Sequence, residues 1–208
     1  MSLPVYPLSI PTSPSNFTTS EWRIKRTVGF TQSPFTYAQQ VAEFQGAVWT
    51  TTVTLPPMNR ADAGSWQSFF MQLHGRKGTF LLGDPDGKTI QGNASTVISV
   101  NGDHAVGAYD ILIDGCTNSS LEFKAGDYVQ FGSGSTSKLH MVVADITSDN
   151  SGNATLQIEP PLKSAVTDDS VVTYSSTKAV MRMDSNELIW TANHVSLYGI
   201  TFSATEAL

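Results

Sequence analysis

Residues 44–92 read FQGAVWTTTVTLPPMNRADAGSWQSFFMQLHGRKGTFLLGDPDGKTIQG and hold the one clear helix pattern in a chain otherwise built of strands and turns. Gln45 to Leu55 is rich in Thr and Val, as a strand should be. Pro56 and Pro57 stop it, and Asn59 is placed to cap a helix whose first turn contains Asp62. Trp66, Phe69, Phe70 and Leu73 then fall at i, i+3, i+4 and i+7, which puts all four side chains on one helix face. Gly75 is positioned to end the helix in a left-handed turn. Thr79 to Leu82 restarts a strand, and Asp84-Pro85-Asp86-Gly87 turns it. A lone helix with one aromatic face has to bury that face against β-structure, so the expected class is all-β with one short α-helix.

The chain of 208 residues is long enough for one large β domain or two small ones. Its 40% hydrophobic content is that of a globular protein, whereas its 14% charged residues lie well below the usual quarter. Thr, Ser, Gly and Asn make up the difference, a balance that suits particle-borne β proteins and chains that bury much surface against partners. The single cysteine, Cys116, excludes an internal disulfide framework and reads as a free structural thiol. Pro4, Pro7, Pro11 and Pro14 interrupt any basic-plus-apolar leader, and no apolar run approaches membrane-spanning length. Synthesis and assembly in a cytoplasm are therefore expected. The N-x-S/T matches at Asn16, Asn93, Asn118 and Asn153 then read as chance in a Ser/Thr-rich chain.

The net charge of −6 is unevenly placed. Residues 93–176 carry ten acids and three bases, or −7, while the remainder carries eight acids and nine bases, or +1. This asymmetry predicts two modules and argues against specific nucleic-acid binding by the middle segment, since phosphate contacts need Lys and Arg. Residues 1–20 read as an extended Pro/Ser/Thr-rich arm, ordered only if something holds it, with an adjacent subunit as the expected support. Strands are predicted at Glu21–Phe30 and over Val41–Leu55, the latter a strand pair or one long strand broken at Gly46. Gln32–Gln39, with Pro34, is an edge or bend. From 93 to 176, short strands recur at Thr96–Val100, Tyr109–Ile113, Asp127–Phe131, Leu139–Ile146, Ala154–Ile158 and Ser170–Tyr174, separated by Gly/Asn/Asp turns. That spacing predicts a small closed barrel of the OB or SH3-like sort. After Ser176 the earlier composition returns in Ala179–Met183, Leu188–Ala192 and Leu197–Ala204, with Asp184–Glu187 turning the first pair.

The simplest organisation is a discontinuous β-sandwich or barrel module, residues 1–92 plus 177–208, with 93–176 inserted. The alternative is two consecutive domains with the last three strands in the second. Insertion is favoured because the first part alone has too few strands to cover its helix.

No catalytic constellation emerges from the residues. Gly83 to Thr89 (GDPDGKT) has three residues between its glycines where a P-loop needs four, and Pro85 removes a backbone donor. His74, His104, His140 and His194 show no metal-ligand spacing. Asp149 to Asn153 (DNSGN) fits a hairpin turn and no calcium-loop pattern. Gly132-Ser133-Gly134-Ser135 lacks the last glycine of a nucleophile elbow. Trp22, Trp49, Trp66 and Trp190 read as core rather than as a sugar-stacking platform. No cofactor, metal or catalytic residue is expected.

The order strand, LPPM, helix with Trp and Phe-Phe, then GRKGTFLLGDPDGK, together with the ending SNELIWTANHVSLYGITFSATEAL, resembles the distal tail proteins of long-tailed, siphovirus-like phages. The match is best over residues 44–92 and 178–208. The segment AGDYVQFGSGSTSKLHMVVADITSDNSGNATLQIEPPL looks like the small barrel such proteins can carry. The resemblance implies a virion protein forming a ring, commonly a hexamer, that joins the tail tube to the tip or baseplate hub. The first module would build the ring, and the barrel would point outward to hold side fibres or touch cell-surface carbohydrate. It implies no enzymatic residues. Two rivals stand beside it. A carbohydrate-binding adhesion module would use Tyr109, Phe123, Tyr128 and Phe131 as platforms, and a tail-associated hydrolase would need a cleft with paired carboxylates or a metal.

Overall fold

The computed structural model describes residues 4–14 and 16–208; positions 1–3 and Ser15 of the expected N-terminal arm lie outside the described residues. The fold is all-β with one α-helix. The first sheet collects strands from both ends of the chain: β1 (Leu8–Ser9), β2 (Thr19–Gln32), β3 (Gln39–Thr54) and β4 (Phe80–Leu82) with β12 (Ala179–Met183), β13 (Trp190–Ala192) and β14 (Tyr198–Glu206). Its order is β1-β4-β12-β14-β3-β2, with β13 paired to the start of β14. β14 therefore lies between β12 and β3, and residues 179–206 are hydrogen-bonded into the sheet that residues 8–82 begin.

Residues between these halves form a second body. β5 (Ser99–Val100), β6 (Asp110–Asp114), β11 (Ala154–Glu159), β9 (Lys138–Val142) and β8 (Tyr128–Phe131) follow one another in a five-stranded sheet, and β7 (Leu121–Phe123) pairs with β10 (Ile146–Thr147). Bridges from Val171 to Ser99 and from Thr173 to Gln130 join the two outer strands, closing the sheet on itself around Ile98, Ile111, Ile113, Val129, Leu156 and Ile158. Chain exit and re-entry lie side by side, with the Ser176 N–H donating to the Lys88 carbonyl at 2.8 Å. A Cβ on Gly83 would fall on the carbonyl oxygen of Thr177, so only glycine permits that approach.

Helix α1 spans Arg60–Leu73. The Asn59 side chain accepts from the backbone N–H of Ala61 and Asp62 at 2.8 and 3.0 Å, satisfying two of the orphan donors at a helix start. His74 takes the left-handed cap conformation at φ 52°, followed by Gly75 at φ 65°. Ala63, Trp66, Phe69, Phe70 and Leu73 are buried. Their rings meet those of the sheet edge to face, Phe69 with Phe80 at 5.6 Å and Phe70 with Phe202 at 5.1 Å between centroids.

The described part of the N-terminal arm is held by its own subunit. β1 runs parallel to β4, the Trp66 indole N–H donates to the Ser13 carbonyl at 3.0 Å, and the Tyr6 hydroxyl donates to the Gln72 carbonyl at 2.7 Å. The expectation that a neighbour orders it gives way to these bonds.

Other departures are local. β3 is continuous, and what lies at Gly46 is a bulge: Arg26 pairs with Ala47 and Val28 with Glu43, so Thr27 faces three residues, Phe44 to Gly46. Asp184–Glu187 does not turn a hairpin, because β12 and β13 both pair with β14 rather than with each other. Leu139–Ile146 divides into β9 and β10, Ser170–Tyr174 contributes bridges only, and β7 was not expected.

The two bodies share one seam. Tyr128 and Leu139 of the barrel sit in the core cluster of the helix-bearing module. The Trp49 indole donates to the Leu139 carbonyl at 2.9 Å, and the Trp49 backbone N–H donates to the Glu206 carboxylate at 3.1 Å. Glu206, with its side chain wholly buried, also pairs with Lys163 of the barrel; its other oxygen has no partner. Burial pushes the Lys163 ammonium below its ordinary pKa.

Candidate assembly surfaces

Beyond the body, β2 and β3 continue as a two-stranded ribbon. Directly opposed residues of an antiparallel pair share a face, so the register assigns sides. Trp22 opposite Thr51, Ile24 opposite Trp49 and Arg26 opposite Ala47 lie on the side that covers the core. The same side continues outward as Val28 opposite Glu43, Phe30 opposite Val41 and Gln32 opposite Gln39. There the core has ended: Phe30 is 59% exposed and Val41 65%, with Ile24 and Val28 also exposed. The reverse face carries Gly29, Thr31, Gln40 and Ala42, with the exposed Phe44 ring beside Gly29. The side that continues the core face therefore leaves Val28, Phe30 and Val41 uncovered. Arg26 fastens its base to the barrel through Glu159 at 2.7 Å and lies 3.8 Å from Glu43; Glu159 beside it raises the guanidinium above its ordinary pKa.

A second apolar surface surrounds the turn between β13 and β14. The Asn193 side chain accepts from the N–H of Val195 and Leu197, closing that turn. Ile189, Trp190, Val195 and Leu197 are exposed around it. Trp190, expected in the core, is 41% exposed, because β13 packs edge-on to β14 with no layer above it. Beside it is a hollow of about 230 Å³ lined by Phe70, Met71, His74, Met183, Leu188 and Trp190.

The four barrel aromatics do not form one platform. Tyr109 is exposed, but Phe123, Tyr128 and Phe131 are buried. Phe123 packs edge-on to Tyr174 at 5.8 Å. Tyr128 turns into the seam, its ring 6.0 Å from Trp49 and its hydroxyl donating to Asp84 at 3.2 Å; burial raises its pKa. Phe131 meets His140 at 5.6 Å. In a barrel this small the inward positions are needed for packing, which takes Phe123 and Phe131 out of reach of a sugar, while Tyr128 is covered by the first module.

His140, Cys116 and Asp149 are held within the barrel and its turns. The His140 ring is buried, and its Nδ1–H donates to the Pro160 carbonyl at 2.7 Å. Burial pushes its pKa down to about 3, so the ring stays neutral, with Nε2 unpartnered. Cys116 is buried, and its thiol is pushed up to about 11, leaving little nucleophilic thiolate at neutral pH. Asp149 accepts from the N–H of Ser151 and Asn153, both at 2.8 Å, closing the turn that contains DNSGN. Among the described residues no cluster of three or more His, Cys, Asp or Glu side chains is arranged to hold a metal ion, and no helix is long and apolar enough to cross a membrane.

No protein-family model and no curated protein matches this chain.

Proposed function

We propose that this protein is a structural subunit of a phage tail tip, working as a homo-oligomeric ring, with a hexamer as the expected form. It would connect the tail tube to the hub or baseplate, with the barrel turned outward toward side fibres or other tip components. Its place would be the virion, after assembly in the host cytoplasm, and it would turn over no substrate. The tail-tip part of this reading rests on the resemblance carried by residues 44–92 and 178–208.

The observation that supports self-assembly is the uncovered apolar side of the β2–β3 ribbon. An isolated two-stranded ribbon is at best marginally stable in water. One that displays Val28, Phe30 and Val41 together needs a partner to cover them. The carbohydrate-platform alternative loses its support with the burial of Phe123, Tyr128 and Phe131.

The test is negative-stain electron microscopy with light scattering on the purified full chain, alone and mixed with tail-tube and hub proteins. Rings of uniform diameter and a fixed mass are expected. A chain that stays monomeric in every mixture would overturn the proposal.

A further inference from the structure

The seam holds more buried positive charge than its own acids neutralise. Lys138 and Lys163 both belong to the barrel, and both are buried; Lys138 is only 9% exposed. Lys163 is paired with Glu206. Lys138 has no such partner. Its Nζ donates across the seam to the Ala207 carbonyl at 3.1 Å, and among the described residues no carboxylate forms an ion pair with it. One carbonyl takes one of the three N–H groups of an ammonium and brings no counter-charge. An ammonium taken out of water without a counter-charge is costly.

Beside the two lysines is a hollow of about 190 Å³. It lies where the base of the ribbon meets the barrel, between Gln45–Ala47 on one side and Pro160–Ser164 on the other. The polar side chains lining it are those of Lys138, Lys163, Gln45 and Ser164. Each of the four can donate a hydrogen bond, and no Asp or Glu is among them. Gln45 and Ser164 are exposed residues, so their side chains are free to turn toward a guest.

We infer that this hollow binds a small oxyanion, a phosphate or a carboxylate, whose charge neutralises Lys138. The lysine donates a charge-assisted hydrogen bond, and the Gln45 amide and Ser164 hydroxyl serve the remaining oxygens. An ammonium is a point charge and accepts either shape of anion. Gln45 belongs to the first module, whereas Lys138 and Ser164 belong to the barrel. The anion therefore ties the two bodies together as well as filling the hollow. This site is separate from the uncovered side of the ribbon and does not depend on the tail-tip reading.

The test is calorimetric titration of the full chain in chloride buffer, with inorganic phosphate in one arm and acetate in the other, at matched ionic strength. Thermal melts are recorded in the same solutions. At least one oxyanion should bind and raise the melting temperature above its value in chloride, because a ligand that binds only the folded state stabilises it. Which of the two does so identifies the source of the anion. Lys138→Met keeps the apolar stem, removes the charge and should weaken binding about tenfold or more, the loss expected for one charge-assisted hydrogen bond. Should that variant fail to fold, Gln45→Ala/Ser164→Ala changes only exposed positions and should weaken binding about fivefold.

If neither anion binds more tightly than chloride, the assignment is wrong, and Lys138 is either neutral or balanced by the carboxylate of Leu208, which also lines the hollow. If the variants bind as wild type does, the anion sits elsewhere and the assignment is equally wrong.

Discussion

The seam between the two bodies gives the sharpest energetic expectation. The Glu206 carboxylate is fully out of water, receives the Trp49 N–H, and is neutralised by Lys163 from the barrel. Breaking a buried pair from one side leaves an uncompensated charge and costs about 3–5 kcal/mol. Lys163→Met strands the carboxylate and should lose that much. Glu206→Gln strands the ammonium, but Lys163 can shed its proton because burial already lowers its pKa, so the loss should fall at the lower end, about 3 kcal/mol. The double variant Glu206→Gln/Lys163→Met removes both charges, while the Gln carbonyl oxygen can still accept the Trp49 N–H at the position the carboxylate held. It should lie within about 1 kcal/mol of wild type. The coupling between the two sites is then about 5 kcal/mol or more, far above what independent sites show. Urea denaturation is the assay. Trp49 fluorescence reports the seam directly through its bond to Leu139, and circular dichroism at 218 nm, in the usual β-sheet range, checks that the transitions coincide. Additive losses in the double variant would mean instead that each charge has its own solvation and that the pair is incidental.

Three further outcomes are expected. Phe69→Ala should cost about 3–5 kcal/mol in denaturation, because its ring is buried against Phe70 and Phe80, whereas Met71→Ala on the exposed side of the same helix should stay within about 0.5 kcal/mol. His140 is neutral when folded and takes a proton below 6.5 when unfolded, so its contribution is intact above 6.5 and lost as pH falls toward about 3; between pH 6.5 and 5 the loss is about 2 kcal/mol, and His140→Gln should flatten that part of the stability–pH curve. Gly83→Ala should lower the melting temperature, because its Cβ would collide with the Thr177 backbone where the chain re-enters the first module; an unchanged melt would show that the crossing is loose.

What could be read from the sequence follows the reach of each signal. The helix, its Asn59 cap and its four-residue apolar face were legible because capping and the 3.6-residue period are local. Ala179–Met183 was legible to the residue because a short apolar run, broken only by Arg182, stands between polar segments. The ribbon was not legible as an extension, since alternation marks an apolar side without saying whether this chain covers it. For the same reason Trp190 looked like core and is exposed, while Phe123, Tyr128 and Phe131 looked available and are buried. Strand β7 is only three residues long, too short to show a period. The pairing of Lys163 with Glu206 joins residues 43 apart, on different bodies, and no spacing rule reaches that far.

The position of β14 also sets the order in which the molecule can come into being. It is hydrogen-bonded on both sides, to β12 and β3, yet it is translated after the entire barrel. A nascent chain therefore exposes the ribbon and the aromatic face of α1 while the strand that fixes them is still unmade. Closure of the first sheet is a late, long-range event. The apolar turn beside β13 emerges only shortly before that closure. The apolar side of the ribbon is thus open to other chains from early in synthesis, while the sheet it belongs to is completed only when the last strand arrives.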